Sequence, residues 1–243
     1  MQEQKVAVIT GAGTGVGQAS ALKLAGLGYR VVLLGRTTAT LAETETKLSA
    51  GAVRRVYPCD IAQAEAVSEV AHKVEQEFGR VDLVVNAAGT NVPDRSLEQL
   101  SLENYRLIMG VNMDGAFYLS QAFLPLMRKQ QSGTFIFIGS IAGLKAGVLS
   151  GPAYAASKFG VHALVQSINL AEQQNGVRAI GIHPGDINTP LLDRRPQVPP
   201  PDARAKMLQG ADVAELVAFA ATLPPRVVIE TMIVTPLGSA AGL

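Results

Sequence analysis

The chain holds one cysteine and three histidines, and its formal net charge is only +1. Each scarcity excludes something. A lone Cys59 cannot build an internal disulfide framework or a multi-cysteine zinc site. His72, His162 and His183 are scattered without paired spacing, so no metal site is expected. A near-neutral balance offers no basic field for nucleic acid and no polybasic membrane patch. No apolar run approaches the roughly eighteen residues of a membrane span. The start, Met1-Gln2-Glu3-Gln4-Lys5, leads into an apolar run too short for a secretion signal. The expectation is a soluble, cytoplasmic protein with neither nucleic-acid nor membrane partners. With 243 residues, 48% of them hydrophobic, there is ample chain for a real core, and 1–243 reads as one domain.

Short β-branched runs alternate with longer Ala/Leu-rich segments of helical spacing. The predicted strands are Val6–Thr10, Val31–Leu34, Val53–Tyr57, Leu83–Val85, Phe135–Ile138, Ala179–Ile182 and Met232–Val234. The predicted helices span about 15–27, 39–49, 63–78, 101–130, 153–174 and 211–222. Strands apolar on successive residues are buried on both faces. Strands that alternate with helices imply right-handed crossovers, hence an α/β fold: a doubly wound, mainly parallel seven-stranded sheet with helices on both faces. Two segments depart from this pattern. Prolines at 184, 190, 196, 199, 200 and 201 forbid a regular central element there, and a lid over a site is expected across about 186–209. The other is Gly139–Gly151, whose Ile141, Leu144, Val148 and Leu149 read either as an apolar substrate lining or as ordinary core.

Thr10-Gly11-Ala12-Gly13-Thr14-Gly15-Val16-Gly17 ends the first strand and opens the first helix. The turn there must be tight and must bring backbone N–H groups against an anion, which suits a pyrophosphate at the helix start. An acid at the end of the second strand would bond a ribose 2′-hydroxyl, whereas arginine accommodates a 2′-phosphate. The second strand ends Leu34-Gly35-Arg36-Thr37-Thr38, with no carboxylate from 31 to 41. Arg36, helped by Gly35, Thr37 and Thr38, therefore favours NADP(H) over NAD(H), unless it is simply a solvated residue before a helix. Asp60 suits an adenine amine, or a helix N-cap boxed with Gln63. Asn86-Ala87-Ala88-Gly89, after the fourth strand, would let a flat ring or ribose lie on the backbone.

Tyr154 and Lys158 stand four apart in a helical segment, so both side chains lie on one face. An ordinary phenol has a pKa of about 10, and a nearby ammonium in a desolvated site favours its ionised form. The pair reads as a tunable acid/base, and Ser140, ending the fifth strand, can polarise a substrate oxygen.

Taken together, Thr10-Gly11-x-x-x-Gly15-x-Gly17, Asp60, Asn86-Ala87-Ala88-Gly89, Asn112, Ser140, Tyr154-x-x-x-Lys158, Pro184-Gly185 and Thr189 resemble the short-chain dehydrogenase/reductase family, in its compact form and along nearly the whole chain. The resemblance implies a Rossmann fold with Ser140, Tyr154 and Lys158 catalytic. It implies that Asn112 completes a tetrad by holding a proton-relaying water. Lys158 would also bind the nicotinamide ribose, Thr189 and the backbone near Ile187 the carboxamide, and Asn86 would lie by the adenosine. The cofactor contacts so implied also take in Gly11, Thr14, Val16, Ile61, Ala87, Gly89 and Gly185 with Pro184. The implied reaction is hydride transfer between NADP(H) and a small carbonyl or secondary-alcohol substrate, in a homodimer or homotetramer. A 3-oxoacyl thioester is one open substrate, and a dinucleotide-sensing regulator without turnover is the competing class. Two features depart from the family pattern: Thr14 stands where many NADP-preferring relatives carry a basic residue, and only Pro236–Leu243 follow the seventh strand.

Overall fold

The computed structural model describes residues 4–49, 52 and 54–238. Its first half runs β1 (Val6–Thr10), α1 (Gly15–Gly26), β2 (Arg30–Gly35), α2 (Thr38–Lys47), β3 (Arg54–Pro58) and α3 (Ala64–Phe78). There follow β4 (Leu83–Asn86), α4 (Leu102–Met109), α5 (Gly115–Gln130), β5 (Gly133–Ile138), α6 (Pro152–Glu172) and β6 (Val177–Pro184). The last part holds β7 (Ile187–Asn188), α7 (Pro201–Ala205), β8 (Leu208–Gln209), α8 (Gly210–Thr222) and β9 (Thr231–Val234). Seven strands form one sheet in the order β3-β2-β1-β4-β5-β6-β9, every neighbouring pair parallel. Val53, expected to open the third strand, lies outside the described residues.

The continuous apolar runs have the cause the sequence suggested. Alternate side chains of a strand face opposite sides of the sheet. Val6 and Val8 pack in one layer with Val67, Phe123 and Val165, from α3, α5 and α6. Ala7 and Ile9 pack in the other with Leu24, Leu41 and Val217, from α1, α2 and α8. Within α3 the buried Val67, Val70, Ala71 and Val74 recur at helical spacing, and the helix stops at Gly79 with φ +66°.

Three sequence expectations are corrected. The helix expected over 101–130 runs through α4 and α5, but Gly110–Asp114 between them is a π-helical turn. A π turn inserts one residue into the 3.6 repeat, which an apolar pattern does not reveal. Asp60 does not cap α3: Gln63 occupies that position, and the Asp60 carboxylate instead accepts from the Ala62 N–H at 3.2 Å. Pro184 ends β6 in the main sheet, and the proline-rich stretch beyond it lies outside that sheet but holds short elements. These are β7, a 3-10 turn over Pro190–Arg194 and α7, with β7 and β8 pairing in parallel.

Helix α6 is tied to the sheet by a side chain. Asn169 accepts from the Ala179 N–H at 2.7 Å and donates to the Ala179 carbonyl at 2.9 Å. β9 pairs with β6 only from Gly181 onward, so Asn169 satisfies the backbone just before that partner begins. That fixes α6 along the strand to which it packs.

Candidate active site

The strand order reverses between β1 and β4, and a cleft of about 540 Å³ opens at the C-terminal edge of the sheet. At its floor the Thr10 hydroxyl donates to the Asn86 side-chain oxygen at 2.8 Å and accepts from the Ala88 N–H at 3.1 Å. This couples the ends of β1 and β4. The Asn86 side chain is buried and engaged with Thr10, and it holds two turns together.

The glycine turn follows. Gly11 has φ +62°, and a Cβ on it would lie 2.9 Å from the Ala88 nitrogen. A Cβ on Gly17 would lie 2.2 Å from the Gly11 carbonyl oxygen, so this glycine serves the packing of α1 and not the cleft wall. The first turn of α1 holds no acidic residue, and the Thr14 side chain makes no cap bond. The helix start therefore leaves its N–H groups and positive dipole end to an outside anion. Thr14, Gly15 and Val16 line the cleft there.

Gly35, Arg36 and Thr37 line one end of the cleft, with Asp60 and Ile61 beside them. Arg36 is exposed and, among the described residues, has no carboxylate partner. Cys59 lies at the same end, buried, with its thiol pushed up to about 11 chiefly by burial. Ala87 and Gly89 line the middle, opposite Pro184, Gly185, Ile187 and Thr189.

The other end brings Ser140, Tyr154 and Lys158 together. Ser140 leaves β5 and accepts from the Ala142 N–H at 3.1 Å, which opens a 3-10 turn. Its carbonyl accepts from His183 Nδ1 at 3.0 Å. His183 is fully buried, and its ring meets that of His162 edge-on at 5.1 Å. Burial pushes the Tyr154 phenol above its ordinary value of 10.0, while a hydrogen bond from Ser140 and then the charges of Arg95 and Arg195 draw it back. The Lys158 amine, 5% exposed, is pushed down to about 8 by burial. It donates to the Ile138 carbonyl at 2.8 Å and lies 5.7 Å from the centre of the tyrosine ring. In the folded chain, then, the guanidiniums of Arg95 and Arg195 are the cations that favour the phenolate.

Asn112 is 1% exposed in the π turn and does not line the cleft. Its side-chain oxygen accepts from the Thr90 N–H at 2.8 Å, and its amide donates to the Thr90 carbonyl at 3.0 Å and to Ser157 Oγ at 3.1 Å. Ser157 in turn donates to the Tyr154 carbonyl at 2.8 Å. Both amide hydrogens are thus used within the protein. The side chain clamps the loop after β4 to the start of α6.

Of the apolar residues expected after Ser140, Ile141 and Leu149 line the cleft, whereas Val148 is fully exposed. Sequence reasoning missed Thr40, Thr90, Asn91 and Arg95, which also line it. The last three lie in the loop after β4, at the strand edge where the site gathers. Their place after a strand's carboxyl end was the available signal.

Comparisons with known proteins agree with this geometry. The profile of a family described as short chain dehydrogenase matches residues 5–198. An uncharacterised oxidoreductase of Staphylococcus aureus is 35% identical over 233 residues, covering 96% of this chain and 97% of its own. The crystal structure of a metagenomic short-chain oxidoreductase in complex with NADP superposes with a TM-score of 0.83 at 31% identity, over 96% of this chain and 97% of its own. An alcohol dehydrogenase from the archaeon Thermococcus sibiricus, complexed with 5-hydroxy-NADP, gives 0.85 at 29% identity, over 97% of each chain.

The buried amine makes stability depend on pH. Lys158 loses its proton near pH 8 in the folded chain, but near 10.5 at its ordinary value. Between those limits the unfolded chain binds more protons, so stability rises with pH. Urea unfolding at pH 8 and pH 9 should find the wild type gaining about 1 kcal/mol on Lys158→Met. A difference that is flat or falls contradicts a desolvated amine.

Proposed function

The chain belongs to the short-chain dehydrogenase family, and on that premise we propose that it is an NADP(H)-dependent oxidoreductase interconverting a carbonyl compound and its alcohol. The observation that carries this reading is the meeting of a hydroxyl, a phenol and an amine in one cleft with a glycine turn built for an anion. A dinucleotide suits the residues present. The α1 start, with its unspent N–H groups and no acid in its first turn, would take the pyrophosphate. Arg36, without a carboxylate partner, would take a 2′-phosphate, and Thr37 and Gly35 flank it. The relatives bound to NADP or a derivative of it support the same preference.

When bound, the nicotinamide supplies or accepts the hydride. The chain does the rest. In the reducing direction Ser140 donates a hydrogen bond to the carbonyl oxygen and orients it. As the hydride reaches the carbon, the carbonyl π electrons move onto that oxygen, and Tyr154 gives its phenolic proton there. Burial keeps the phenol protonated at neutral pH, whereas the guanidiniums of Arg95 and Arg195 stabilise the phenolate left behind. Lys158 adds its charge beside the tyrosine ring and would hold the nicotinamide ribose of a bound dinucleotide. Asn112 acts through Thr90 and Ser157 as a positioning residue that fixes Tyr154 relative to the loop after β4. In oxidation the same groups run in reverse.

A panel of aldehydes and ketones followed by NADPH absorbance tests the reading. Tyr154→Phe should lower kcat by about 10²–10⁴-fold, the usual share of a positioned acid. Its affinity for NADPH, followed by fluorescence, should stay within a few-fold of wild type. Undiminished turnover by the variant contradicts the phenol's part.

Arg36 bears on the choice of cofactor. A hydrogen bond to a charged group is worth about 1.5–3 kcal/mol, so Arg36→Leu should cut kcat/KM for NADPH roughly 10–100-fold. The value for NADH should change far less. Equal loss with both cofactors, or a wild type that prefers NADH, contradicts the assignment.

A further inference from the structure

The cleft wall around Ser140, Tyr154 and Lys158 carries charge almost all of one sign. Arg95, Arg194 and Arg195 line it, and Asp186 is the carboxylate found there among the described residues. Asp186 is already spent, in an ion pair with Arg195. Arg95 and Arg194 have no carboxylate partner among the described residues. Arg95 is 7% exposed and bridges three loops, donating to the carbonyls of Val92 at 2.6 Å, Leu149 at 3.3 Å and Arg194. All three of these acceptors are neutral.

Arg194 differs from Arg95. It is exposed at the rim of the lid-like segment, and its single side-chain hydrogen bond within the described residues runs from Nη1 to the Thr90 hydroxyl at 2.9 Å. A guanidinium has five N–H donors, so four of these are left to solvent or ligand. Thr90 is the residue that Asn112 clamps toward Tyr154. The Arg194 guanidinium therefore lines the cleft beside Thr90, in the loop that Asn112 ties to Tyr154.

A buried guanidinium with only neutral acceptors, crowded by like charges, is costly. Consistent with this, burial and the charge of Arg195 both weaken Arg95's hold on its proton. An anion meeting the free donors of Arg194 would gain charge-assisted, bidentate contacts that a neutral substrate would not. Building on the carbonyl reading above, we propose that the substrate is a small carbonyl compound, or the matching alcohol, bearing a carboxylate or phosphate that Arg194 grips with Arg95 behind it. Arg194 is then a specificity-determining residue carried by the lid-like segment.

The test compares kcat/KM for matched pairs at saturating NADPH: 4-oxobutanoate against butanal, and glyceraldehyde 3-phosphate against glyceraldehyde. Wild type should favour at least one anion by tenfold or more, and the pair that responds separates carboxylate from phosphate. In Arg194→Gln the preference should collapse toward parity, chiefly through KM, and Arg194→Lys should restore part of it. Neutral partners reduced as well as the anions by wild type, or a preference that survives Arg194→Gln, overturns the proposal and leaves carbonyl reduction standing. A raised NADPH Kd in Arg194→Gln with the anion preference intact assigns the residue to the cofactor and likewise overturns it. No reduction of any of the four compounds, nor of the wider carbonyl panel, overturns both readings.

Discussion

Between β1 and β4 the parallel sheet reverses its winding: the chain leaves β1 toward the layer holding α1, and leaves β4 toward the layer holding α5. Connections that depart to opposite faces cannot close over the strand ends, so a crevice is left between them. The Thr10–Asn86 hydrogen bond fixes how close the two strand ends stand, and the Gly11 turn then meets Ala88 with no room for a side chain. Everything chemical in the chain is hung on that gap. The uncapped start of α1 rises on one side of it, and the serine, tyrosine and lysine lie on the other.

What makes the second side reactive is the balance between burial and charge. A phenol in a low-dielectric wall resists ionisation, and an amine there gives up its proton early. The sequence suggests that Lys158 alone offsets the first effect. In the folded chain Lys158 is anchored to the Ile138 carbonyl, and two arginines from separate loops contribute to the field at the tyrosine. Arg95 is common to both readings: its charge favours the phenolate, and in the proposal above it backs the Arg194 guanidinium. The π turn serves the same end from behind. By pushing Asn112 out of helical register, it lets one side chain hold both the loop after β4 and the base of Tyr154.

Much of this was legible from the residues. Strands such as Val6–Thr10 announced themselves because burial on both faces needs apolar side chains at every position. The glycine turn, Ser140, Tyr154 and Lys158 were visible because their spacing is local and their strand-end positions follow from the alternation. The failures share a physical cause: contacts between residues far apart in sequence. The bond between Thr10 and Asn86, 76 residues apart, has no local signature. Nothing in a helical pattern signals the residue inserted at the π turn or the bonds of Asn112 to Thr90. Arg95 went unremarked because it sits in a loop without periodicity, and its partners Leu149 and Arg194 come from two later loops.

The central claim is that this cleft moves a hydride to a carbonyl carbon and a proton to its oxygen. Reduction with NADPH carrying deuterium at C4, followed by mass spectrometry of the alcohol, tests it most directly. The claim predicts one deuterium bound to the former carbonyl carbon, delivered from a single face of the nicotinamide and retained on exchange in ordinary water. Alcohol formed without the label, or labelled cofactor left unconsumed across the whole carbonyl panel, contradicts it.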